Sequence, residues 1–436
     1  MVRFHSSALI FYSVAKFSEI FKNKNFSLLW LSQVISQFGD RLDQMALIAL
    51  IYSRAPGSTW EMAKLFSCTI IPVFLIGPVA GVYVDRWSRQ RTMFICDLIR
   101  AGLVFVIAFS LINLKPIFPI YFVIFLVFSI GRFFVPAKMS IIPDLVKKDD
   151  LLLANSLVNT TGMIAAMFGL GLGGFLVSPS ILGVRGGFYL DAATFFISAI
   201  LIYFISEKIK LRVSGQVLAG VSKDIAEVVN KSVRSVRGEI KEGIYFLVSN
   251  RQTRYVVAVL FTIFAALGAV YVVAIVFVQE ILGFSTTLLG ILAMSMGAGL
   301  FLGSLVYGRL GHKLSHLKII FACLCLSGIL LFLFAFLTYS LRQFAISALI
   351  SGLLGLALSP IITASNTLVH NLSDSNMMGR VFSSVELVMH LGFFLAMIIS
   401  AILAEFLGRF WILVGVGFVV IFFGILGLIG EMRQHA

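Results

Sequence analysis

The feature that most restricts this chain is a series of apolar runs, each close to the ~20 residues a helix needs to cross the hydrocarbon core of a bilayer. They recur near 27–52, 62–84, 92–113, 117–138, 151–178 and 186–205, and again near 253–280, 288–309, 317–338, 342–365, 380–404 and 410–430. Runs this long and continuous do not suit barrel strands. A backbone in lipid must also satisfy its own hydrogen bonds, so helices follow. With 59% hydrophobic and 12% charged residues and a mean hydropathy of +1.02, the 436-residue chain is expected to be an all-α membrane protein with twelve transmembrane helices.

The net charge of +14 would point to nucleic acid in a soluble protein. Here topology accounts for it. With both termini on the cytoplasmic side, Lys and Arg in cytoplasmic segments outnumber those in the opposite loops by roughly five to one, as the positive-inside rule requires, and no nucleic-acid partner is expected. Residues 1–26 mix aromatic and aliphatic side chains with Lys and Arg and read as an amphipathic interfacial segment. The spans then divide into a bundle at 27–205 and a bundle at 253–430, joined by a charged, amphipathic cytoplasmic linker at 206–252, with a cytoplasmic tail at 431–436. The cysteines, Cys68, Cys96, Cys323 and Cys325, all fall in apolar spans, so neither a disulfide framework nor a metal site is expected.

Against this background the stretch QVISQFGDRLDQ, Gln33 to Gln44, stands out, because it lies inside the first span. Each ionisable side chain at the centre of an isolated spanning helix costs ~2.5 to 3.5 kcal/mol on insertion scales, so Asp40, Arg41 and Asp43 require partners or a wet cavity. Gln33, Gln37, Asp40 and Gln44 recur on one helix face, with Ser36, Asp40, Asp43 and Leu47 on a neighbouring stripe, while Arg41 points away from Asp40. A transport pathway and a purely structural ion pair both fit that pattern.

The two halves echo one another. GVYVDRWSRQR after the second span returns as SLVYGRLGHK after the eighth, about 223 residues on, with Gly308 at the position of Asp85. A duplicated six-helix unit is implied, and such repeats place a site between the halves. The loop Gly81 to Arg91 resembles the Gly-x-x-x-Asp-Arg-x-x-Arg-Arg signature of the major facilitator superfamily. Together with NFSLLWLSQVISQFGDRL, PAKMSIIPDLV and GRVFSS, it is most similar to bacterial exporters related to macrolide-efflux and enterobactin-export proteins. Lysophospholipid transporters share a similar Phe-Gly-Asp in the first helix. The resemblance implies two pseudo-symmetric six-helix bundles in a bacterial cytoplasmic (inner) membrane.

In that setting Asp85 is expected to face the start of the eleventh span near Gly379 and, with Arg86, to control a cytoplasmic gate. Arg89 and Arg91 are expected to surround it, Asp97 and Arg100 to continue the network, and Arg132 to pair with Asp97. GLGLGG in the fifth span, with Gly169, Gly173 and Gly174, is similar to an antiporter motif but has Leu170 in place of proline; close helix packing is the competing explanation. Glu386 and His390, one turn apart, form a second candidate proton carrier. Asp191 reads as interfacial.

Nothing in the sequence forms a phosphate-binding Gly-rich loop or a soluble catalytic constellation, so neither ATP-driven transport nor an enzyme is expected, and no cofactor is implied. The expectation is a monomeric secondary transporter, exporting a hydrophobic or amphipathic small molecule in exchange for protons or another cation. Asp40 and Asp43, assisted by Arg41, Gln37 and Gln44, would form the coupling site. A lysophospholipid flippase is the alternative, and a non-transporting receptor or an intramembrane enzyme the readings from other classes.

Overall fold

The computed structural model describes residues 19–84, 87–109, 113, 116–206, 251–283, 285–311, 315–372 and 378–435. The linker expected at 206–252 lies almost wholly outside them, as do residues 1–18 of the interfacial segment and the motif residues Asp85 and Arg86. Among the described residues there is no strand. The first six spans appear as α1 (Lys24–Arg54), α2 (Thr59–Leu75) with its continuation α3 (Gly77–Val84), α4 (Arg89–Phe109), α5 (Phe118–Leu145), α6 (Leu151–Leu176) and α7 (Gly183–Tyr203). The second six are α8 (Arg251–Ile281), α9 (Thr286–Leu310), α10 (His316–Leu341), α11 (Phe344–Leu372), α12 (Met378–Leu407) and α13 (Arg409–His435).

Among the described residues, ten helices are long and apolar enough to cross a membrane. The two spans outside that set have local reasons. α1 carries the polar and charged stretch from Gln33 to Gln44. The second span is cut by Gly77 and Pro78: a proline has no N–H to offer the carbonyl four residues earlier, so the helical ladder is interrupted there. Large apolar side chains, among them Phe118, Phe406 and Trp411, remain exposed on the outer surfaces, as lipid-facing helices require.

The chain groups into two compact units, and the grouping does not follow the halves of the sequence. The first unit takes the chain to Asp43, then Ile71–Gly169 and Arg185–Val233. Its core packs Phe26 and Leu29 of α1 with Met93 of α4, Phe134 and Ile141 of α5, Val158 of α6 and Ile202 of α7. Ile20, from the segment before α1, is buried in the same cluster. The Asn25 side-chain amide donates to Ser206 O at 2.9 Å and its carbonyl accepts from Ser206 N at 3.1 Å, which ties the start of α1 to the end of α7.

The second unit takes Gln44–Ile70, Leu170–Val184 and Arg234–Ala436. Within it α9 packs on α11, α10 on α13 and α8 on α12. The α9–α11 contact is a meeting of backbones: a methyl group on Gly299 would strike the Gly352 carbonyl, and one on Gly355 would strike the Met296 carbonyl. In lipid, where burial of apolar surface gives helices little net attraction, such close approach supplies much of the association energy. Gly299→Val should therefore lower the melting temperature of the detergent-purified protein by several degrees, whereas Gly415→Ala, which meets nothing within 4 Å, should leave it unchanged. Equal melting of the two variants in a thermal unfolding assay would contradict this packing.

Candidate functional site

The polar stretch of α1 is accommodated inside the first unit by a single guanidinium. Arg100 on α4 donates from Nη2 to Asp40 Oδ1 at 2.7 Å, and its Nη1 lies 3.6 Å from Asp97 Oδ1, one turn back on its own helix. The flat face of the same group stacks on Phe195 of α7, 3.9 Å from the ring centroid. Gly131 of α5 lies beside it, where even a methyl group would make only ordinary van der Waals contact with Arg100. Four helices thus close around one cation, which is only 9% exposed. Arginine suits this position because its fork serves two carboxylates while its face remains free for the ring.

The acids differ in their surroundings. The Asp40 side chain is 38% exposed, whereas Asp97 and Asp191 are fully buried and Asp43 nearly so. Asp97 accepts a hydrogen bond from Ser198 Oγ of α7 at 2.6 Å. Its partners are therefore Ser198 and Arg100, which replaces the expected pairing with Arg132: Arg100 is on the same helix, three residues on, and reaches the carboxylate first. Asp191 accepts from Thr194 Oγ1 at 3.2 Å. It was expected at the interface, but it sits eight residues into α7 with no exposed surface.

Local sequence explains how α7 reaches the site. Asp191, Thr194, Phe195 and Ser198 stand at spacings that place them on one helix face, so the acid, two hydroxyls and the stacking ring are presented together. Gly39 then sets the approach of α1. A side chain there would run into the Thr194 hydroxyl and the Asp191 carboxylate, so only glycine permits the contact. This is the physical reason for glycine in Phe38-Gly39-Asp40. α7 was the contributor that sequence reasoning missed, although the Asp-x-x-Thr-Phe-x-x-Ser spacing was a legible signal.

The remaining expected residues are distributed more widely. Arg41 leaves the Asp40 face and lies along Gly169 of α6, where a methyl group would come within 2.9 Å of its stem. Gln37 faces Gly162 of the same helix. Gln44, in the second unit, donates to the Tyr271 hydroxyl at 2.6 Å. Gly171 and Gly174 pack against Met294 and the Thr286 carbonyl, and Gly173 is buried; with Gly169 on α1, the glycines of α6 serve close helix packing. Arg89 pairs with Asp144 at the end of α5, and Arg91 is exposed. Glu386 is exposed on α12, and the His390 ring is bonded to the main-chain carbonyl of Glu386 at 2.9 Å instead of to its carboxylate, so the two do not form a side-chain relay.

A second polar cluster, not foreseen, ties the α1–α2 corner to the α12–α13 corner inside the second unit. Glu405 Oε1 accepts from Thr59 Oγ1 at 2.8 Å and from Trp60 N at 3.1 Å, which places a carboxylate on the first amides of α2, where a helix favours negative charge. Arg409 bonds the Gly57 carbonyl and donates to Glu280 Oε2 at 3.2 Å. Gly57 and Gly408, with φ of 74° and 87°, make the two corners.

The weight carried by Arg100 is measurable. Removing one partner from a buried charge network costs on the order of 3 to 5 kcal/mol, because the other charges stay buried without it. Arg100→Lys keeps the charge but cannot serve Asp40, Asp97 and Phe195 together. It should reduce thermal stability in detergent well beyond the effect of Ser198→Ala, and melting curves in which the two variants coincide would refute the role of the guanidinium.

Comparison with known proteins places this architecture. The chain is 24% identical to macrolide efflux protein A of Streptococcus pyogenes over 430 residues, covering 94% of this chain and 96% of that protein. It is also 24% identical to the MFS-type transporter YfiS of Bacillus subtilis (strain 168) over 433 residues, 94% of each chain. Among solved structures, a bacterial homologue of the iron transporter ferroportin in an inward-facing state superposes with a TM-score of 0.69 at 13% identity, covering 93% of this chain and 98% of that one; the likeness is one of fold. The profile of the Major Facilitator Superfamily matches residues 29–301 and 256–434, and the chain therefore belongs to that superfamily of multi-pass membrane transporters.

Proposed function

We propose that this protein is a proton-coupled secondary exporter of hydrophobic or amphipathic small molecules, working as a monomer by alternating access in a bacterial cytoplasmic membrane, with both termini on the cytoplasmic side. The observation that carries the coupling reading is the inequality among the acids. Asp40 is partly exposed and bound to Arg100, and three further carboxylates lie buried around the same cation. A carboxylate at that boundary is placed to exchange protons between water and the buried acids, and each protonation changes the charge balance around Arg100.

Other features support the same reading. The strong asymmetry of Lys and Arg between loops supports the orientation. The latch of Glu405 and Arg409 on the α1–α2 corner is the kind of contact that must form and break as access alternates. Export is favoured by similarity to macrolide efflux protein A and, at 24% identity over 322 residues, to multidrug resistance protein MdtG of Salmonella schwarzengrund (strain CVM19633). A cytoplasmic gate formed by Asp85 and Arg86 remains part of this reading on the strength of the loop signature.

A thermal-shift screen of the purified protein against antibiotics, siderophores and lysolipids, at two pH values, identifies the transported class. With a stabilising compound in hand, Asp40→Asn should abolish uptake driven by a pH gradient in liposomes, while the variant retains its elution profile and melting temperature within a few degrees. Undiminished gradient-driven uptake by that variant would sink the coupling role, and uptake of lysolipids alone, indifferent to pH, would favour the flippase reading.

A further inference from the structure

Four acids lie around Arg100, and they differ in how close a cation comes to them. Asp40 and Asp97 are both bound to Arg100, and Lys138 of α5 acts on the same two. Asp43 and Asp191 have no such contact. Asp97 Oδ1, Asp43 Oδ1 and Asp191 Oδ2 are all buried without a hydrogen bond, but Asp97 Oδ1 has the Arg100 Nη1 charge 3.6 Å away, whereas Asp43 and Asp191, 7% and 0% exposed, form no ion pair among the described residues. The charges acting on this pair are those of the two acids themselves, of Asp40 on α1 and of Arg100 on α4. Arg100 pairs with Asp40 through Nη2 and faces Asp97 with Nη1, and the stem of Arg41 lies along Gly169 of α6.

The two acids share a place as well as a deficit. The Asp191 carboxylate lies against the backbone of α1 at Gly39, and Asp43 stands one turn further along that same face, four residues on. Two carboxylates confined in a dry site with no cation of their own cannot both stay ionised. Among the described residues no group of three or more His, Cys, Asp or Glu is arranged to hold a metal ion, so multivalent cations are poor candidates for neutralising the pair. The smallest cation that resolves two orphaned oxygens is a proton, which turns one carboxylate into a hydrogen-bond donor and leaves the other as an acceptor.

We infer that Asp43 and Asp191 form a two-carboxylate proton site inside the first unit, carrying one proton and one negative charge between them. Asp191 is thereby a coupling residue that neither the polar stretch of α1 nor the loop signature identifies. The inference rests on the proton-coupled reading above and divides its labour. Asp40, partly exposed and held by Arg100, exchanges protons with water, and the buried pair stores the proton that the cycle carries.

Infrared spectroscopy of the full-length protein in lipid nanodiscs at neutral pH, without substrate, tests the pair independently of transport. The wild type should show the carbonyl stretch of a protonated carboxyl. Asp191→Asn and Asp43→Asn should each remove it, because either substitution takes away one of the two carboxylates that share the proton, so either variant suffices if the other does not fold. Asp191→Glu should keep the band. A band that survives both asparagine substitutions overturns the pair, and so does one that vanishes when sodium chloride replaces potassium chloride at constant pH, which would put sodium there instead. A band that both variants remove, beside wild-type flux that ignores the pH gradient, would uphold the pair and overturn the coupling reading.

Discussion

The contact on which the first unit depends is the one between Arg100 and its two carboxylates, Asp40 on α1 and Asp97 on α4, with Phe195 under the guanidinium plane. A charged helix centre in a lone α1 would oppose membrane insertion by several kcal/mol. Inside the bundle the Asp40 charge directs assembly, because Arg100 meets it only where α1, α4, α5 and α7 come together. Gly39 lets α7 approach until Asp191 and Thr194 touch the α1 backbone. Small residues and buried charge thus act together, since the glycines bring the helices close and the ion network fixes which faces meet.

The architecture was legible because bilayer thickness writes itself directly into run length. Each long apolar run became a helix, and the exceptions are informative. α1 and the broken α2–α3 segment are the two spans that are not apolar and continuous enough to qualify as membrane-crossing on length and hydropathy alone. α1 falls outside because it carries the polar stretch from Gln33 to Gln44. The need of Asp40 for a partner was also readable, since no isolated carboxylate is stable there.

Partner identity was not readable. Arg132 and Arg100 are equally plausible companions for Asp97 when only spacing along the chain is known, and rotation of the helices about their axes decides between them. The same rotation brings Asp191 inward, a residue whose position along the sixth span suggested an interface. Glu405 and Arg409 escaped notice because each looks like an ordinary charge at a helix end; their meaning arises only when the α12–α13 corner meets the α1–α2 corner. Conversely, Glu386 and His390 sit at a spacing that invites a relay, yet the imidazole prefers the nearer main-chain carbonyl. The charged stretch also lies where α1 passes from one compact unit to the other, between Asp43 and Gln44.

The central claim is that protons and substrate move in opposite directions through one cycle. It is tested most directly by reconstituting the protein in liposomes that contain a pH-sensitive dye, then imposing a gradient of a compound that thermally stabilises the protein, with no initial pH gradient and the membrane potential clamped. Substrate efflux from the lumen should acidify it and substrate influx should make it alkaline, each in proportion to the substrate moved. Substrate flux at constant luminal pH would contradict the claim.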